Sequence, residues 1–387
     1  MRGDPVSFFS NNLVKVSDLI RHVKNRLQGH GMVDKKTTAE YQADHRSAVA
    51  LLGSRGAALD ALYARADGVR RSVMGDAVYI RGIIEFSNVC ARNCDYCGIR
   101  AGNRQVKRYT LSADEIVATA RQLPASGQTT VVLQSGESPA FGDEALGALI
   151  RRLKAETPLA VTISAGARPK DVYRYWRECG MDRYLIRFET SDPALYARMH
   201  PDSTLDQRLE CIRNLKELGV QAGSGFMIGV PGETVEVLAD NILLCRELDL
   251  DMIGIGPFIS HPDTPLAADR NAYAAEPEMF FKALAVLRIF NPSSHIPATT
   301  AYDAVFPGEG RNLALQRGAN VFMPNCTPGR YRKDYLLYPG KPCIDESAEQ
   351  CSACVLRRIE SLGRTIGTGP GHSIKPPHRP PAGDVAG

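Results

Sequence analysis

No stretch of this chain approaches the roughly 18 uninterrupted apolar residues that a membrane-spanning helix needs. The first residues carry charge without the apolar core of a secretory leader. A membrane protein and a secreted one are both set aside, and the expectation is a soluble, cytoplasmic chain. Charge of one sign is lacking too: 47 Lys and Arg stand against 43 Asp and Glu, a formal net of +4. So balanced a composition gives no case for nucleic acid or another polyanion as partner. No Gly-rich phosphate turn follows an early strand-like run, which argues against an open, doubly wound nucleotide-binding sheet. Nor do the strand ends carry the His/Asp/Glu set of a zinc hydrolase.

What the chain does have is cysteine. Ten are present, and in a cytoplasmic protein they point to metal or redox chemistry rather than to disulfide staples. Cys90-Ala91-Arg92-Asn93-Cys94-Asp95-Tyr96-Cys97-Gly98 follows an apolar, strand-like run over 78–86. Cysteines at that spacing cannot share one strand, but a loop that wraps back on itself brings them together. Three thiolates at one site suit a 4Fe–4S cluster, with the fourth iron left free for a small chelating molecule. A structural zinc would want a further Cys or His nearby, and downstream the nearest His is His200. A disulfide would leave one thiol over. The C-x3-C-x2-C pattern is that of the radical S-adenosylmethionine (SAM) enzymes.

A second group, Cys343-x7-Cys351-x2-Cys354, follows Pro339-Gly340. It suggests a second iron–sulfur cluster, 2Fe–2S or 4Fe–4S, with zinc as the open alternative. Its fourth ligand is not evident; Cys326 is one option, although a position just after a strand places it at a cavity rim or in the core. Cys179, Cys211 and Cys245 stand alone on helix-like segments and read as small buried hydrophobes.

Residues 1–75 read as a helical extension, with apolar residues at helical spacing over 14–27 and 48–62 and a capping signal at Thr37-Thr38-Ala39-Glu40. The default expectation is a helical layer closing one end of a barrel. From residue 76 apolar runs alternate with amphipathic ones. Strands are expected at 78–86, 129–134, 159–164, 183–188, 220–228, 252–257, 296–300 and 319–323, and helices at 112–123, 143–155, 170–178, 204–218, 234–248, 276–290 and 309–317. Eight β-then-α units in about 250 residues are the arithmetic of a closed (β/α)8 TIM-type barrel, here over 76–325. Residues 326–363 form a barrel-closing segment with the second cysteine group, and 364–387 read as a disordered tail from their Gly/Pro-rich, hydrophilic composition.

In such a barrel the working residues sit at the C-terminal ends of strands. Those ends carry Gln134-Ser135-Gly136-Glu137, Thr162-Ile163-Ser164, Arg187-Phe188-Glu189, the Gly-rich run 223–233, Met252, Thr299-Thr300 and Met323-Pro324-Asn325. Most could simply serve turns or backbone. Glu189 is harder to dismiss, because an inward carboxylate needs a partner, and a cationic amine such as the SAM ammonium would supply one. Arg187 and Arg208 could grip a carboxylate or could each be a structural ion pair.

Over about 79–363 the chain resembles the HydE family, the radical SAM maturases of FeFe-hydrogenase, in the group that also holds biotin synthase and methylornithine synthase. The resemblance lies in Ile84-Glu85-Phe86-Ser87-Asn88-Val89-Cys90, Val132-Leu133-Gln134-Ser135-Gly136-Glu137, Gly254-Ile255-Gly256-Pro257-Phe258, His261-Pro262-Asp263-Thr264-Pro265-Leu266 and Ile296-Pro297-Ala298-Thr299-Thr300. It implies a cluster held by Cys90, Cys94 and Cys97 and a SAM molecule lined by Tyr96, Gln134, Ser164, Glu189 and Arg208. Thr162, Met252, Thr299, Thr300 and Met323 would face the substrate cavity, and Cys343, Cys351 and Cys354 would hold the accessory cluster. Reductive cleavage of SAM would give a 5′-deoxyadenosyl radical that attacks a small organometallic or amino-acid-derived substrate. The family also implies an electron donor and the partner maturases HydG and HydF. Three positions depart from the pattern: Phe188 replaces a His, Ala167 an acidic residue and Cys326 a Trp. These bear on the substrate, so a HydE-like paralogue acting on another small molecule is the alternative; a non-catalytic iron–sulfur carrier is a further one.

Overall fold

The computed structural model describes residues 38–138, 141–346 and 348–376. Eight parallel strands run in order around it: β1 (Ala77–Ser87), β2 (Thr130–Ser135), β3 (Ala160–Ser164), β4 (Arg183–Leu185), β5 (Gln221–Ser224), β6 (Met252–Ile253), β7 (Pro297–Ala298) and β8 (Val321–Phe322). β8 pairs back onto β1 through Tyr79↔Val321 and Ile80↔Phe322. Between β6 and β7 the Ile253 amide donates to His295 O at 2.8 Å, and the His295 amide to Asp251 O at 2.9 Å. Those two bonds close the ring. The expected (β/α)8 barrel is the fold.

Local chemistry accounts for the helices. Ser112 and Glu115 make a reciprocal capping box at the start of Ala113–Gln122, and Thr204 and Gln207 do the same for Leu205–Glu217. Along β1 the two-residue period sends Ile80, Ile84 and Phe86 into the main apolar shell. Tyr79 and Ile83 pack instead with Val132, Val321 and Met323, a separate cluster on the inner faces of β1, β2 and β8. The ladders are shorter than the apolar runs. The run 220–228 splits at Gly225, where a side-chain carbon would lie 2.0 Å from Gly254 O; the chain then re-pairs through Met227–Ile228 and Gly256–Pro257.

Three expectations are corrected. The helix expected over 48–62 is interrupted between Thr38–Leu52 and Ala57–Met74, with Gly56 at φ 53° in the break. These helices pack on Val235–Glu247 and Met279–Phe290, so they flank the barrel rather than close its end. (The expected helix over 14–27 lies outside the described residues.) Finally, residues 364–376 are not a disordered tail. Thr365–Ile366 pairs with the start of β1, and the following turn crosses the N-terminal end of the barrel. There Arg81 Nη2 donates to Gly371 O at 3.0 Å and Arg183 Nη2 to Pro370 O at 2.6 Å. Low apolar content concealed this anchoring, because the segment is held by its carbonyls. The expected tail beyond residue 376 lies outside the described residues.

At the opposite end, residues 326–346 fold back over the barrel. Lys341 Nζ contacts the buried carboxylate of Glu85 on β1, which also accepts from Asn325 Nδ2 at 3.0 Å, and Nζ donates to Tyr335 O at 2.9 Å. Lys341→Met would leave Glu85 buried without its cation. A loss of about 3–5 kcal/mol is expected, measurable by chemical denaturation of the anaerobically purified variant.

Candidate active site

The cysteine loop leaves β1 at the C-terminal face and is clamped by the strand ends beside it. The Ala91 amide donates to Glu137 O at 2.8 Å, Arg92 Nε to Glu137 Oε1 at 2.5 Å, and the Ala167 amide to Glu137 Oε2 at 3.0 Å. Two glycines make room. A Cβ on Gly136 would sit 2.4 Å from Val89 O and 2.8 Å from Cys90 Cβ, and one on Gly166 (φ 84°) 2.2 Å from Glu137 Cγ. The Gln-Ser-Gly-Glu string is therefore mechanical as well as chemical.

Cys90, Cys94 and Cys97 are all half-buried free thiols. Burial raises the pKa of each; the neighbouring thiols add to the effect at Cys94 and Cys97, and Cys97 is pushed up to about 12. Three thiolates so close together require a cationic centre. Among the described residues no set of Cys, His, Asp and Glu converges on a single ion position. A cubane gives each thiolate its own iron, so this donor set fits a 4Fe–4S cluster.

Glu189 lies beside that loop. Its Oε1 accepts from Tyr96 Oη at 3.3 Å, whereas its Oε2 is buried without a hydrogen bond. Arg187 Nη2 stands 2.9 Å from that oxygen but is not aligned to donate, and its own Nε and Nη2 are likewise unmatched. Glu189 also has φ 65°, a left-handed conformation uncommon for a residue with a side chain. Its amide donates to Gly225 O and its carbonyl accepts from the Met227 amide, both at 3.0 Å. The backbone is pinned in a costly shape around a carboxylate oxygen that has an ion pair but no hydrogen bond.

The other expected residues occupy several levels of the barrel. Gln134 ends β2 and donates to Tyr335 Oη at 3.3 Å, and Ser164 ends β3 half-exposed. Arg208, near the start of Leu205–Glu217, reaches Tyr196 Oη at 3.3 Å. Tyr96 packs with Met199, Met227, Val230, Phe258 and Leu266. Thr300 Oγ1 pairs with Tyr338 Oη at 2.6 Å, and Thr299 Oγ1 donates to Ile255 O at 2.8 Å. Thr162 and Met252 lie deeper, in a cleft shared with Arg81, Arg183 and His295. Met323 belongs to the inner apolar cluster.

Sequence reasoning missed the polar roof made by Glu85, Tyr335, Tyr338 and Lys341. A carboxylate at an inward position of an otherwise apolar strand was the available signal for Glu85. Two of the three departures from the family pattern face away from the cavity. Phe188 packs in the outer shell against Phe226, with ring centroids 5.9 Å apart, and Cys326 Sγ lies 3.1 Å from Gln128 Oε1 beneath Gly82. They carry no weight about substrate.

In the second group Cys343 and Cys351 are in contact. That thiol's hydrogen bond, opposed by burial and helped by Arg311, draws Cys343 below the usual thiol range. Cys343 has φ 62°, and Cys354 is exposed. Cys326 is buried nearby on the outer side of β8, close enough to influence Cys351.

Glu233 closes the Gly-rich run. It accepts from Asn241 Nδ2 at 3.0 Å and from the Gly229 amide at 2.6 Å, and Asn241 Oδ1 accepts from the Ser191 amide at 2.5 Å. Burial pushes Glu233 up to about 8 from an ordinary 4.5. The folded state therefore holds a proton that the unfolded state releases, and stability falls as pH rises from about 4.5 to about 8. The loss is on the order of 3–5 kcal/mol. Denaturant titrations across that range should show the slope, and Glu233→Gln should flatten it while losing one acceptor at every pH.

Residues 84–245 match the Radical SAM superfamily. With the cysteine loop at the C-terminal face of a complete barrel, that makes the chain a radical SAM enzyme, a class defined by a 4Fe–4S cluster and SAM. The FeFe hydrogenase maturase subunit HydE of Thermotoga maritima is 44% identical over 341 residues, spanning 88% of this chain and 96% of that one. The chain belongs to the HydE family. The 3-methylornithine synthase of Methanosarcina barkeri is 27% identical over 322 residues, 83% of this chain and 88% of that one. A crystal structure of methylornithine synthase superposes with a TM-score of 0.73 at 26% identity, covering 84% of this chain and 94% of its own. HydG from Carboxydothermus hydrogenoformans shares the fold, with a TM-score of 0.70 at 18% identity over 93% of this chain and 83% of that one. Among the described residues no helix is long and apolar enough to cross a membrane.

Proposed function

We propose that this chain cleaves SAM reductively and directs the 5′-deoxyadenosyl radical onto a small organometallic substrate during assembly of the diiron subcluster of FeFe hydrogenase. The observation that carries the reading is the Oε2 of Glu189, buried without a hydrogen bond beside the loop that carries Cys90, Cys94 and Cys97. Cys90, Cys94 and Cys97 would hold a 4Fe–4S cluster, which when bound supplies the electron that splits SAM. Glu189 would accept from the SAM ammonium, with Gln134, Ser164 and Arg208 lining the molecule and Tyr96 beside the adenine. Tyr335, Tyr338 and Lys341 roof the barrel and would exclude water from the radical's path. Thr162, Met252, Thr299, Thr300 and Met323 would face the substrate.

The substrate would come from a HydG-type maturase and the product would pass to a HydF-type one, with a separate electron donor. Cys343, Cys351 and Cys354 would hold an accessory cluster that serves no step of SAM cleavage. The test is anaerobic reconstitution with iron and sulfide, then dithionite and SAM, with chromatography for 5′-deoxyadenosine. Its formation, stimulated by the HydG product, supports the reading. A full 4Fe–4S signal without cleavage, even with that product present, would favour an iron–sulfur carrier.

A further inference from the structure

His200 touches the cysteine loop, yet no role above uses it. It follows Met199 at the end of Pro193–Met199, and its amide donates to Tyr196 O at 2.9 Å. The imidazole stacks on the Tyr196 ring, with centroids 4.4 Å apart and planes at 19°, and meets Tyr96 edge-on at 5.4 Å. Only 2% of the residue is exposed. The loop is tied to the same turn by the Asp95 amide, which donates to Met199 O at 2.8 Å. Held between the two rings, His200 presents Nδ1 to Cys94 Sγ at 3.3 Å, while Nε2 is buried without a partner.

The tautomer follows from what the sulfur can do. A cysteine bound to iron has no proton to give, so the contact is a hydrogen bond only if Nδ1 carries the hydrogen. We propose that His200 donates its Nδ1–H to the Cys94 sulfur and thereby raises the reduction potential of the 4Fe–4S cluster, acting as a positioning residue for the electron-transfer step. This rests on Cys94 being a cluster ligand. Reduction adds negative charge that spreads onto the sulfurs, and a donor aimed at one of them stabilises the reduced form; such bonds are among the determinants of cluster potential.

The test is an anaerobic redox titration of reconstituted protein, followed by electron paramagnetic resonance, for wild type, His200→Phe and His200→Asn. Phenylalanine keeps the ring and loses the donor, whereas the Asn amide nitrogen can occupy the Nδ1 position. His200→Phe is expected to shift the reduction equilibrium about tenfold towards the oxidised form, ~59 mV for one electron, while His200→Asn stays near wild type. An unchanged potential in His200→Phe at full iron and sulfide content would overturn the proposal, as would an Asn variant that falls as far as the Phe one. Should His200→Phe fail to load, pulsed resonance of the reduced wild type with 15N-histidine decides: a coupled histidine nitrogen is expected, and its absence overturns the proposal. A Cys94→Ala protein that still binds SAM at an intact cluster would show instead that the ligand assignment had failed.

Discussion

Alanine at Cys90, Cys94 or Cys97 is expected to reduce 5′-deoxyadenosine formation to background, while Cys343→Ala, Cys351→Ala and Cys354→Ala retain it. The thiols of the first group are costly to ionise together, since burial raises all three and the neighbouring thiols add to it at Cys94 and Cys97. A 4Fe–4S core would offset that cost, and would need all three as ligands to leave a single iron open for SAM. With two cysteines a cluster would lose one of its three anchors.

The second group is a different environment. Arg311 Nη2 lies 3.8 Å from Cys343 Sγ, and the helix Ala348–Ser361 that carries Cys351 and Cys354 packs outside the barrel. Robust cleavage by any first-group variant would sink the open-iron assignment, and loss of cleavage in all three second-group variants would make the accessory site part of the catalytic path.

The strand positions were legible because each apolar run sits between turn residues, and because a barrel repeats one unit. Strand lengths were not. Where β4, β5 and β6 stop pairing depends on tertiary packing, such as the lack of room for a side chain at Gly225 against Gly254 O, that no local propensity records. Facing was legible in principle. Counting alternate residues from Arg183 turns Arg187 inward and Phe188 outward, which would have removed Phe188 from the argument about substrate. The C-terminal plug and the Lys341–Glu85 pair join residues 290 and 256 positions apart. Composition read the plug's Gly and Pro as disorder, whereas their carbonyls accept from two buried guanidiniums. His200 left no mark in the sequence beyond standing alone.

Glu189→Gln is expected to weaken SAM binding by about 2–3 kcal/mol, some 30- to 150-fold in Kd. Gln preserves the length of the side chain and incurs the same left-handed backbone cost at φ 65°, so the variant isolates charge from shape. In the free protein Oε2 has no aligned donor, and Arg187 at 2.9 Å sits beside it without bonding to it. A buried carboxylate oxygen whose ion pair lacks a hydrogen bond keeps capacity for a further donor, and the SAM ammonium is the donor this family brings to the cluster. The amide of Gln would turn a donor towards that ammonium or leave a weaker acceptor; either way a charge-assisted bond is lost. Equilibrium binding of SAM to the reconstituted, unreduced protein checks it, since no chemistry then competes with binding. Affinity equal to wild type would mean that Arg187 alone satisfies Glu189 in solution, and that the strained turn at this strand end serves the barrel rather than SAM.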